Sequence, residues 1–123
     1  MKKELNVLGG ELESCCMQPV TGYFRDGYCR TDETDRGTHI VCAIVTNDFL
    51  NFSAARGNDL MTPKPQWDFA GLKEGDKWCL CINRWLEAVD ADKAPTIILE
   101  ATHKDALQFA TIELLKKYSH KEA

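Results

Sequence analysis

No stretch of this 123-residue chain approaches the roughly 18 to 20 consecutive apolar residues that cross a bilayer, so no membrane-spanning segment is expected. Clustered positive charge is missing too. The net charge is −4 and the sequence pI about 5.3, which argues against a nucleic-acid surface or an anionic membrane as partner. The Walker and dinucleotide glycine loops, the Gly-x-Ser-x-Gly elbow and His-Glu-x-x-His are absent, which removes the sequence grounds for nucleotide binding, serine hydrolysis and zinc proteolysis. There is no Cys-x-x-Cys redox pair, internal repeat or low-complexity tract. The opening MKKELNVLGG is interrupted by Glu4 and Asn6, so no apolar core of a secretory signal follows and a cytoplasmic chain is expected.

What is present is an ordinary globular composition, 44% apolar and 28% charged, in a length that supports one continuous core. A single domain over residues 1–123 is expected. Six cysteines in a reducing compartment, below the density of a small secreted scaffold, read as free thiols rather than disulfides, with neither a cofactor nor a bound metal required.

The chain is most unusual at Cys15 to Thr31, CCMQPVTGYFRDGYCRT, which holds three cysteines and two arginines within one short stretch. Arg25 and Arg30 flank Cys29, and neighbouring guanidinium charge stabilises a thiolate. The plainer reading is a hairpin closed by the turn dipeptides Thr21-Gly22 and Asp26-Gly27. Four of the five arginines precede residue 60, whereas most lysines follow it, so polar structure or an anion site is expected in the first half.

Leu5 to Glu13 contains Gly9-Gly10 and reads as a turn or small hairpin. Thr31 to Gly37, TDETDRG, is a polar loop without the spacing of a calcium motif. Thr38 to Val45, THIVCAIV, is a β-branched run suited to a buried central strand, with Cys42 inside it and His39 at its polar start. Thr46 caps a helix near 47–56 that turns Phe49, Leu50, Phe52 and Ser53 inward and ends at Gly57. Residues 58–71 form a long loop with Pro63, Pro65, Trp67 and Phe69, either a cover packed on the core or a lid. In Lys77 to Cys81, Trp78 and Leu80 face one way and Cys79 and Cys81 the other, an i, i+2 pair that suits two ligands of one metal. Ile82, Trp85, Leu86 and Val89 follow at helical spacing over 82–91, with Arg84 and Glu87 on the polar face. A strand over 96–100 leads to Thr102 and Asp105, a capping-box spacing that places His103 in the first turn of a helix near 103–109. A last helix spans 112–118, capped by Thr111.

These elements make an α+β fold, a compact two-layer domain in which a small sheet (strands near 38–45, 77–81 and 96–100) is packed by helices near 47–56, 82–91, 103–109 and 112–118. The motifs CCMQPVTGYFRDGYCRT, HIVCAIVT, GNDLMTPKP, GLKEGDKWCLCINRW and LEATH resemble a family of small, mostly bacterial proteins known as a domain of unknown function. The resemblance runs from about Leu8 to Leu115. It implies a compact α/β two-layer domain and brings no catalytic or binding residue with it.

Three functions are compatible with these residues. In the first, a small anionic ligand or protein partner binds a cleft lined by Arg25, Asp26, Arg30, Asn58 and Asp59. In the second, a thiol-dependent enzyme or redox protein uses Cys29 as nucleophile, His39 or His103 as base, and Arg25 or Arg30 to stabilise the thiolate. In the third, Cys79 and Cys81 bind a metal together with Cys15, Cys16, Cys29 or His103, although the short spacings depart from the usual zinc pairs.

Overall fold

The computed structural model describes residues 4–15, 27–31, 35, 38–57, 59–67 and 71–119. The sheet is antiparallel, with β1 (His39–Ile44) central between β2 (Lys77–Cys81) and the short β3 (Thr96–Ile97). Among the described residues three α-helices accompany it, α1 (Asn47–Ala55), α2 (Ile82–Asp90) and α3 (Ile112–Lys117). The fold is α+β, as the sequence pattern implies.

Alternation along β1 and β2 gives the sheet two unlike faces. Val41, Ala43, Trp78 and Leu80 join the main core with Phe49 and Leu50 of α1, Ile82, Trp85 and Ala88 of α2, and Leu115 of α3. Cys42 and Cys79, which are partners in the ladder, belong instead to a separate buried cluster with Cys15, Cys29 and Ala101. The expected division of Trp78 and Leu80 from Cys79 is therefore observed.

Helix α1 is capped as its sequence indicates, with the Thr46 hydroxyl accepting from Phe49 N at 3.1 Å. Trp85 anchors α2. Its ring is fully buried, its Nε1 donates to Pro95 O at 3.2 Å, and it meets Tyr118 edge-on at 5.4 Å between centroids. The loop after α1 is pinned to the core by Leu72, whose N donates to Leu60 O, and by Gly71, where a side chain would run into the Met61 carbonyl. That behaviour fits a packed cover; the Trp67 side chain and Phe69 lie outside the described residues.

Two expected elements differ. β3 ends at Ile97 because the chain turns into a 3-10 segment, Leu99–Ala101, and Thr102 Oγ1 donates to Ile98 O at 2.8 Å. Thr102 also accepts from Cys42 N at 3.2 Å, so its hydroxyl is unavailable as the expected helix cap. His103 takes that role, its Nδ1 accepting from Asp105 N at 3.0 Å, and the segment Lys104–Gln108 is a 3-10 rather than an α-helix.

The N-terminal turn is held by one side chain. Asn6 Oδ1 accepts from Leu8 N and Gly10 N, while its Nδ2 donates to Glu11 O and Glu100 O. All the capacity of a buried amide is used.

Trp85→Ala is expected to lower unfolding stability by about 3–5 kcal/mol, because a buried indole, its hydrogen bond and its contact with Tyr118 are removed together. Leu8→Ala, at a half-exposed site, should change stability by no more than about 0.5 kcal/mol. Urea unfolding of the two variants measures the difference.

Candidate functional site

The cysteine face is assembled from four chain segments. Cys15 N donates to Gly27 O, and Gly27 has a φ of 87°, so the two ends of the Arg/Cys stretch return to the same place. Cys15 is bonded to Cys42 and Cys29 to Cys79, with Cα separations of 5.6 and 5.1 Å. These four cysteines are paired, not free. The expectation of free thiols is corrected here because spacing along a sequence does not reveal that Cys42 and Cys79 sit side by side in the β1–β2 ladder, facing one loop. Cys29, fully buried in its disulfide, carries no thiol in this state.

Cys81 is the free cysteine among the described residues and is half-buried. It stands where β2 passes directly into α2, as the N-cap residue of that helix, and its side chain makes no capping hydrogen bond. Across the ladder its partner is His39. The pair stands at the register shift of the ladder, so both residues lie at the same end of the sheet.

His39 is oriented by Asp35. Its Nδ1 lies 2.7 Å from Asp35 Oδ1, and since a carboxylate accepts only, Nδ1 carries the proton of that bond. Asp35 has no exposed side-chain surface, and its Oδ2 accepts from Thr31 Oγ1 at 3.0 Å and from His39 N at 2.9 Å. The His39 side chain is 38% exposed. The backbone between them is strained: Thr38, a β-branched residue, has a φ of 50°. A register shift between His39 and Val41 follows directly. Thr38 O accepts from both Ile40 N and Ile82 N, which ties this kink to the first turn of α2. Bulge, strained threonine and buried carboxylate together fix one imidazole.

The other sequence candidates are placed differently. His103 is buried in a structural position, with Nδ1 accepting from Asp105 N and Nε2 donating to Glu4 Oε2 at 2.7 Å. Asp59 is committed to a local turn with Thr62 and Met61. Its carboxyl is held below the ordinary value by the Thr62 hydroxyl first and by the Met61 and Thr62 N–H groups next. Arg30 is half-buried beside Cys29. Arg25, Asp26, Asn58 and Cys16 lie outside the described residues. An open depression of about 420 Å³ lined by Thr46, Asn47, Asp48, Glu74 and Lys93 lies at the opposite end of the β1–β2 ladder from His39 and Cys81. Arg84 donates to Arg56 O and to Glu87 on the surface, as its helix position indicates.

Asp35 escapes detection in the sequence because TDETDRG has the composition of a solvated turn. Its one local signal is the i, i+4 spacing to His39, which means little before the loop's path is known.

A family model described as an uncharacterized protein conserved in bacteria (DUF2237) matches residues 5–119. The chain belongs to the DUF2237 family. That match takes in all six cysteines, Asp35 and His39, and it agrees with the resemblance read from the motifs. No curated protein matches the chain. Among the described residues, no helix of this DUF2237 protein is long and apolar enough to cross a membrane.

Peptide mapping of the unreduced, denatured protein is expected to recover Cys15 linked to Cys42 and Cys29 linked to Cys79, with Cys81 alkylated. The bridges close 27 and 50 residues. Loop-closure entropy then sets the loss of unfolding stability on reduction at roughly 3–4 kcal/mol per bridge, measured by denaturant titration.

Proposed function

We propose that this protein is a thiol-dependent enzyme in which Cys81 is the nucleophile and His39, oriented by Asp35, is its base. One observation carries the reading: the free cysteine among the described residues lies across the ladder from an imidazole already held by a buried carboxylate. A nucleophile, a base and a group that orients the base are the three parts of this chemistry. The Cys81 proton passes to His39, the imidazolium is stabilised by Asp35, and the sulfur attacks an acyl carbon or a disulfide sulfur, whose leaving group departs with its bonding pair and takes the proton back from the imidazolium. The start of α2 adds amide N–H groups beside the anion that forms. Cys29, the nucleophile expected from the sequence, is replaced in this reading because its sulfur is already bonded to Cys79.

The test is labelling of the unreduced native protein with iodoacetamide at neutral pH. Cys81 is expected to react faster than a free thiol in a small peptide, and His39→Ala should slow it by about a hundredfold, the low end of what a positioned base contributes. Asp35→Asn should slow it as well, since an amide cannot accept from Nδ1–H, Thr31 and His39 N at once. A Cys81 that labels no faster than the peptide, or at the same rate in His39→Ala, removes the reading.

A further inference from the structure

The four cysteines of the buried cluster carry a second possibility that does not involve Cys81. The sulfurs of Cys15, Cys29 and Cys79 all lie within 4.8 Å of one another, and Cys42 is bonded to the first of them. A tetrahedral zinc site, with Zn–S near 2.3 Å, spaces its sulfurs by roughly 3.8 Å. The outer limit among these three sulfurs exceeds that by only about 1 Å, whereas Cys42 lies outside that group and has to swing toward the other three once its bond to Cys15 is reduced. Each of the four is nearly or fully buried, the apolar residues beside them are Ala101 and Ile98, and among the described residues no carboxylate or histidine joins the three sulfurs within ligand distance. The donors come from two loops and from adjacent positions of β1 and β2, elements held in place by the ladder and the main core.

We propose that the reduced form of this cluster is a buried zinc site formed by Cys15, Cys29, Cys42 and Cys79, so that the protein exchanges two disulfides for one soft metal ion. In the reduction each disulfide takes two electrons and two protons from a dithiol, which itself becomes a disulfide, and four thiols result. Zinc then binds four thiolates and four protons leave to solvent. A pure thiolate set selects zinc over calcium, magnesium or manganese, which prefer oxygen donors.

The probe is cobalt(II), added to the full chain after reduction with a phosphine and again to the unreduced chain. The reduced protein is expected to take up one equivalent, with thiolate-to-cobalt charge transfer in the near ultraviolet and the visible bands of a tetrahedral ion, all displaced by one equivalent of zinc. The unreduced protein should show none. Cys15→Ser and Cys79→Ser should lose the bands, and Cys81→Ser should keep them. Should the serine variants fail to fold, the wild-type chain still decides: zinc must shield Cys15, Cys29, Cys42 and Cys79 from alkylation, and a chelator must expose them. Absence of the bands in the reduced protein, their survival in both Cys15→Ser and Cys79→Ser, their loss in Cys81→Ser, or alkylation indifferent to zinc would overturn the proposal.

Discussion

The constraint on which the rest depends is the register of β1 against β2, because it sets Cys42 directly beside Cys79. With strand side chains alternating between faces, that register sends Val41, Ala43, Trp78 and Leu80 into the main core and leaves two sulfurs side by side on the other surface. A slip by one residue would bury Lys77 and expose the aromatic and aliphatic residues. The hydrophobic demand of one face therefore fixes the chemistry of the other. Cys15 and Cys29 reach those sulfurs because Cys15 N bonds Gly27 O, drawing the two ends of a loop onto the same patch.

The same ladder also explains why the end of the sheet is different. Beyond Val41 the register shifts, and a left-handed Thr38 redirects the chain so that Asp35 lies under His39. A β-branched residue at positive φ costs on the order of 1–3 kcal/mol, and it persists only where surrounding bonds over-determine it. Here those bonds run from Thr38 N to Asp35 O and from Ile40 N and Ile82 N to Thr38 O. The start of α2, the bulge and the carboxylate are thus one rigid unit. Cys81 belongs to it through the backbone alone.

Much of the architecture is legible in the sequence. The β-branched run THIVCAIV, the alternation in KWCLC and the helical spacing of Ile82, Trp85, Leu86 and Val89 each report a local period, and each element lies where its period places it. Thr46 and Thr111 cap their helices because an N-cap is read within four residues. Thr102 has the same spacing to Asp105, yet Cys42 N and Ile98 O engage its hydroxyl. Both belong to segments whose position the spacing cannot convey. The Asp35–His39 pair and the disulfide pairing fail for the same reason: each depends on where a loop crosses the sheet.

Two sulfur systems share one face of β2 and differ in what surrounds them. Cys79 is enclosed by sulfur, Ala101 and Ile98, where a charge is stable only if shared with a metal or removed by bonding to another sulfur. Cys81, two residues on, is half-buried at a helix start with His39 opposite in the ladder. The shift from one environment to the other takes place within a single pleat. A Cys-x-Cys sequence read alone suggests one site with two ligands. With the third dimension added, Cys79 belongs to the buried cluster and Cys81, the last residue of β2, to the end of the sheet that carries Asp35 and His39.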